Sequence, residues 1–260
     1  MRRVQSLEAY RSSVLPLIER RLREAVDNGA LRDSYRYVVE GGKRLRPTLT
    51  LLVSEALGGD RQVALDLACS AELTHCASLC LDDILDGHGE RRGKAALHLA
   101  EDLRQAVTTG FTLPSIALNL AAQHGAACAQ TLSEAWVSMC LGAYLEETPE
   151  TVSWEAYRRN IELKTGRLFA AASAFGALAS GREAESFRRF GLHLGVAYQM
   201  ADDIQDGWEG EWLPRLQDHM IREVQRAEAE ASGWDGSEPG LVRILRQAPR
   251  DILALKGAVP

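Results

Sequence analysis

Lysine is almost missing from this 260-residue chain: Lys43, Lys94, Lys164 and Lys256 are the only four, and arginine carries most of the positive charge. Basic charge is not in excess either. The formal net charge is −6, which argues against a general nucleic-acid binder. The five cysteines, Cys69, Cys76, Cys80, Cys128 and Cys140, are odd in number and form no C-x-x-C pair. They are expected to be small buried thiols in a reducing compartment, so a cytoplasmic location is expected. Met1-Arg2-Arg3 has no apolar run behind it, so no secretory signal is expected. No apolar stretch reads as the ~18–20 residues of a membrane span. H-E-x-x-H and G-x-S-x-G are both missing, so neither a zinc protease nor a serine hydrolase is indicated.

Strand signals are also nearly absent. Apolar residues make up 46% of the chain and recur at helical spacing. The spacing predicts helices over residues 5–27, 31–39, about 47–57, 61–86, 96–109, 113–127, 130–147, 153–180, 183–207, 217–231 and 241–255. Leu7, Tyr10, Val14, Ile18 and Leu22 mark the inner side of the first. Residues 169–179 are apolar or small on every face, as in a central buried helix. Residues 207–214, with two tryptophans and two glycines, read as a loop. The expectation is an all-α fold: one domain over residues 1–260, a bundle of about ten or more helices around a central cavity.

Against that background stand two acid runs, Asp82-Asp83-Ile84-Leu85-Asp86 and Asp202-Asp203-Ile204-Gln205-Asp206. Both read D-D-x-x-D and both end long apolar helices. At about 100° per residue the three acids of each run fall at roughly 0°, 100° and 40° of the helix circumference. Six carboxylates beside apolar surface need cations. Oxygen-only ligands select a hard cation such as magnesium, which brings phosphate oxygens with it.

Cations suited to phosphate lie near both runs. Glu90-Arg91-Arg92-Gly93 follows the first, and arginine forks bind phosphate oxygens in pairs. Gly41-Gly42-Lys43-Arg44-Leu45-Arg46-Pro47 places three cations before a helix start, a plausible anion cradle, without Walker-loop spacing. Lys164-Thr165-Gly166 interrupts an apolar helix, where a lysine either snorkels or reaches for a buried anion. Gln199 lies one turn before Asp202, and His75 two turns before Asp82 on the same face.

Together, GGKRLRP, DDILDGHGERRG, KTG and YQMADDIQD resemble the trans-prenyl diphosphate synthase family, the polyprenyl synthetases, over roughly residues 35–210. The resemblance implies the isoprenoid synthase fold and a prenyltransferase that joins an allylic diphosphate to isopentenyl diphosphate. It implies Mg2+, three ions, at a metal site of Asp82, Asp83, Asp86, Asp202, Asp203 and Asp206, with Asp82, Asp83, Asp86, Lys164 and Asp202 central to catalysis. Arg91, Lys164, Thr165 and Gln199 would hold the allylic diphosphate. Lys43, Arg46, His75 and Arg92 would hold isopentenyl diphosphate. A homodimer is a family expectation. The small Ala77 and Ser78 before the first run imply products of about twenty carbons or longer, unless Phe111 or Leu118 blocks the cavity.

The chain departs from the pattern in three places. The family's G-Q-x-x-D segment is here Gly142-Ala143-Tyr144-Leu145-Glu146. Gly110-Phe111 stands where relatives often have Gly-Asp. The glycine- and lysine-rich loop after the second acid run is replaced by residues 207–214, and Arg215 is the nearest cation. These changes keep two rivals open: a terpene cyclase or a prenyltransferase with a non-standard acceptor, and a non-catalytic regulatory subunit.

Overall fold

The computed structural model of the chain describes residues 6–27, 29–146, 153–208 and 212–254; Lys256 and residues 209–211 of the tryptophan-rich stretch lie outside them. In chain order the helices are α1 (Leu7–Ala25), α2 (Arg32–Val39), α3 (Leu45–Leu57), α4 (Arg61–Leu85), α5 (Leu97–Ala100), α6 (Leu103–Ala122), α7 (Ala126–Tyr144), α8 (Trp154–Ile161), α9 (Arg167–Leu178), α10 (Glu185–Gln205), α11 (Trp212–Ser232) and α12 (Pro239–Ala254). A π-helical turn, Glu162–Gly166, joins α8 to α9. The all-α expectation holds, with one small addition. A hairpin of β1 (Glu90–Arg91) and β2 (Lys94–Ala95) pairs antiparallel just after the first acid run.

Local chemistry sets the helix ends. Side chains of Ser6, Asp60, Asp102 and Ser153 accept backbone N–H bonds at the starts of α1, α4, α6 and α8, each such cap being worth about 1 kcal/mol. Gly58, at φ +78°, closes α3 in the left-handed conformation that glycine adopts freely.

Four expectations are corrected. The break expected between residues 109 and 113 occurs earlier, at Glu101-Asp102, because Asp102 caps Gln105 N at 2.7 Å; α6 then runs unbroken through Pro114. Helix α7 starts at Ala126, earlier than its apolar spacing indicated. Trp212 to Pro214 belong to α11 and not to a loop. Helix α4 is long and apolar enough, by length and composition, to cross a membrane. Most of it is buried against other helices, as in a core helix.

The centre of the bundle is α9. Leu168 to Ala177 are all buried, and α3, α4, α7 and α10 pack around them. Burying Phe169 or Phe175 completely contributes about 1.5–3 kcal/mol each. Helix α10 comes very close to α9 at Gly191, where a Cβ would lie 2.3 Å from the Phe169 carbonyl oxygen. That approach brings Gln199 of α10 beside Thr165 of the π-turn (Thr165 Oγ1 to Gln199 Oε1, 2.7 Å).

Candidate functional site

Helices α4 and α10 both end at one opening, so their acid runs share a cavity of about 890 Å³. Asp82, Asp86, Asp202 and Asp203 line it, together with Lys164, Thr165 and Gln199. Arg46 and His75 line it as well, and Trp136, Met139 and Cys140 form an apolar part. The C-terminal end of each helix carries roughly half a negative charge. Two such ends bearing carboxylates make this opening attractive to cations.

The middle acid of each run has a different duty from its neighbours. The spacing turns it about 100° away, and it is buried. Asp83 is 3% exposed and accepts bonds from Arg91 Nε at 2.9 Å and Nη2 at 2.5 Å. Asp203 accepts from Gln199 Nε2 at 3.0 Å and from the Tyr157 hydroxyl at 2.5 Å. Asp82 and Asp202 are half-buried on the cavity wall, while Asp86 and Asp206 cap their helices in solvent. Burial pushes the Asp82 carboxyl up to about 6, with Lys164 opposing the rise and Asp86 and Glu146 adding to it. Among the described residues no three His, Cys, Asp or Glu side chains are gathered to hold an ion by themselves. Magnesium retains water and phosphate oxygens in its shell, so an all-carboxylate wall opposite a diphosphate is a suitable donor set.

Lys164 sits where the helix widens into the π-turn, and its Nζ bonds the Glu146 carboxylate. Its partner is an exposed carboxylate, not a buried anion, supplied by the residue that replaces the family's aspartate. Burial opposes its charge, but Asp82, Glu146 and Asp86 outweigh that and raise its pKa. Asn160 Nδ2 donates to the Gly142 carbonyl at 2.7 Å, pinning α8 to α7 beside this pair.

The cationic loop is held by Arg44. This residue adopts φ +53°, is 1% exposed, and pairs with Glu19 and Glu72 at 2.7 Å each and with the Val39 carbonyl. Arg46 is thereby directed into the cavity, 4.4 Å above the Phe169 ring, and its buried Nε has no partner. His75 is kept neutral by burial and by Arg46, Arg92, Arg44 and Arg91. Arg92 donates to the carbonyls of Glu40 and Gly41 at 3.1 and 3.0 Å. It lies over Gly42, φ +97°, where a Cβ would come within 2.9 Å of its Cζ. Lys43 is exposed, and its carbonyl accepts from Arg11 at 3.0 Å. Lys43 and Arg92 do not line the main cavity, and Arg92 lines a smaller one of about 40 Å³ with Arg91.

Several residues fall elsewhere than expected. Phe111 and Leu118 are 65% and 38% exposed and do not line the cavity, because α6 turns them outward. Ser78 lines it, but Ala77 is packed in the core. Cys140 is exposed and lines the cavity, whereas the other four cysteines are buried. Arg215 stacks on Trp154, 4.3 Å from the ring centre, and is not on the cavity wall. Tyr157, Tyr198, Trp136 and Trp208 all line the cavity. The only hint of Tyr157 in the sequence is its position two helical turns before Lys164.

The arrangement has relatives. The family profile described as Polyprenyl synthetase matches residues 28–211. The geranylgeranyl diphosphate synthase of Methanosarcina mazei is 36% identical over 184 residues, covering 66% of this chain and 57% of that protein. Component 2 of the heptaprenyl diphosphate synthase of Geobacillus stearothermophilus is 31% identical over 215 residues, covering 78% and 67%. The chain thus spans about three fifths of the length of several curated relatives. In fold it is similar to the polyprenyl synthase from Caulobacter crescentus CB15 complexed with calcium and isoprenyl diphosphate, with a TM-score of 0.82, 22% identity, and 97% and 99% of the two chains covered. With a profile match over most of its length and both acid runs set on facing helices, the chain belongs to the polyprenyl synthetase family.

Proposed function

We propose that the chain is a magnesium-dependent prenyltransferase that joins an allylic diphosphate to isopentenyl diphosphate, head to tail. The product is a trans-prenyl diphosphate of about twenty carbons or longer, in keeping with the names of its relatives. The observation that carries this reading is Arg46. Arg46 lines the same cavity as the acid runs and its Nε is buried without a hydrogen-bond partner, which supports a cationic anion site distinct from the carboxylates. A buried guanidinium N–H without an acceptor is costly, and a second diphosphate would supply one.

Asp82, Asp86, Asp202 and Asp206 would hold the metal, three ions balancing the carboxylates, with Asp83 and Asp203 behind them. Magnesium supplies charge neutralisation for the departing diphosphate. Lys164 and Arg91 donate to that diphosphate, and Thr165 and Gln199 orient the wall. Arg46, His75, Arg92 and Lys43 hold isopentenyl diphosphate so that its double bond meets the allylic carbon. The apolar part of the cavity excludes water, which favours carbon as the nucleophile. A homodimer is in keeping with the exposed Leu103, Phe111, Val137 and Leu141 on α6 and α7; a monomer mass by light scattering would sink that part.

The test is a product analysis with Mg2+ and farnesyl diphosphate, with and without isopentenyl diphosphate. Longer diphosphates that require isopentenyl diphosphate are expected. A hydrocarbon or alcohol from the donor alone would establish a cyclase, and no product of either kind would establish a non-catalytic subunit.

A further inference from the structure

The ring of Tyr157 is enclosed by three tryptophans. Its centre lies 5.5 Å from Trp154, 5.0 Å from Trp208 and 5.5 Å from Trp212, and Trp208 and Trp212 meet edge to face at 5.2 Å. Such contacts favour one ring orientation over others. The residue is 4% exposed, and its hydroxyl donates to Asp203 Oδ2. On the other side, Gln199 donates to Asp203 Oδ1 and is itself held by Thr165. The Trp208 backbone N–H also bonds the Asp203 carbonyl at 3.1 Å. Both oxygens of this buried carboxylate are therefore occupied by protein donors, and its backbone is tied to the aromatic cluster.

We infer that Tyr157, locked by Trp154, Trp208 and Trp212, is a positioning residue for the second acid run: it fixes Asp203 as a strut that aims Asp202 and Asp206 at the metal. This rests on the metal-binding reading above. Two of its tryptophans, Trp208 and Trp212, come from the stretch that stands in place of the family's lysine-rich loop. Where that loop would add charge, this chain adds a rigid apolar brace that shields the Asp203 contact from water. Rigidity matters because a metal ligand's orientation is set by what holds it from behind.

The test measures metal binding directly, by electron paramagnetic resonance of Mn2+ titrated into the full chain with inorganic pyrophosphate. Wild type must first bind Mn2+ under these conditions; if it does not, the metal reading itself fails. Tyr157→Phe keeps the ring and removes only the hydroxyl. It is expected to weaken Mn2+ binding by about 10–100-fold, and a change below about fivefold overturns the inference. Tyr35→Phe is the control. It deletes another buried tyrosine hydroxyl bond, to Thr112 at 2.9 Å, and should leave Mn2+ binding intact. Asp203→Asn provides a second measure, should Tyr157→Phe fold poorly. It retains an oxygen acceptor for Tyr157, so it should weaken Mn2+ binding less than Asp202→Asn does. Equal or greater loss from Asp203→Asn overturns the strut role.

Discussion

Asp82 shows how a carboxyl on a cavity wall is held at the expense of the fold. Burial raises its carboxyl from the ordinary carboxylate range to about 6, so below that pH the metal-free protein holds it protonated. For a group raised in this way, the stabilising preference is complete below its unfolded pKa and is lost as pH climbs toward about 6. Above that, metal-free protein carries a partly desolvated charge. Asp82→Asn removes it. In chelator at pH 7–8 this variant should melt about 2–4 °C higher than wild type, the effect of about 1 kcal/mol after screening at a half-buried site. With Mg2+ and both substrates its turnover should fall at least about 100-fold. Melting curves from pH 4 to 8 check the first outcome, because the difference should vanish toward pH 4; a product assay checks the second. At this scale the sequence was most legible where a charge was unusual. Six acids and a lone lysine in apolar helices announced themselves. Tyr157 and Trp136 did not, because an aromatic at helical spacing has the same appearance whether it packs a core or lines a cavity. Nor did spacing alone show that Asp83 and Asp203 are tied back; that required their partners Arg91 and Tyr157, which come from other elements.

Among the elements, α9 and α10 determine the geometry of the wall. The small residues of residues 169–179 pointed to a buried central helix, and α9 is one. The limits of α6 were less readable, since Gly110 and Pro114 both look like breakers. In the fold Gly110 lies against Leu81 of α4, and the helix continues through Pro114. Tertiary packing overrode local propensity there. The α9–α10 contact yields a clean expectation. Gly191→Ala would place a Cβ 2.3 Å from a backbone oxygen, which no side-chain rotation relieves. The cost should be about 1–3 kcal/mol, seen as a lower urea midpoint at unchanged m. Separating the helices would also stretch the Thr165–Gln199 bond, so turnover in folded protein should fall as well. A variant as stable as wild type would show that α10 can shift away from α9 freely.

For the whole molecule, the question under the proposed function is what would limit the length of a tail growing in the cavity. Helix α7 contributes one wall of the cavity. Ala143, then Cys140 and Met139, then Trp136 line this wall on successive turns of one face, about 10 Å from first to last. The residues read from sequence as gatekeepers do not share the task equally. Ser78 faces the cavity, Ala77 is in the core, and Phe111 and Leu118 point outward. Among Ala143, Cys140, Met139 and Trp136 the bulkiest side chain is Trp136, on the helix that also carries Gly142-Ala143-Tyr144 of the altered family segment. Trp136→Ala should therefore shift the products upward by one or more five-carbon units, with turnover on the first condensation little changed. Ser78→Phe, on the α4 side of the cavity, should shift them downward. Chromatography of the dephosphorylated products, with isopentenyl diphosphate in excess, measures both. If elongation occurs but Trp136→Ala leaves the length distribution unaltered, the limit lies elsewhere, and a second copy of the chain against the exposed faces of α6 and α7 becomes the next place to look.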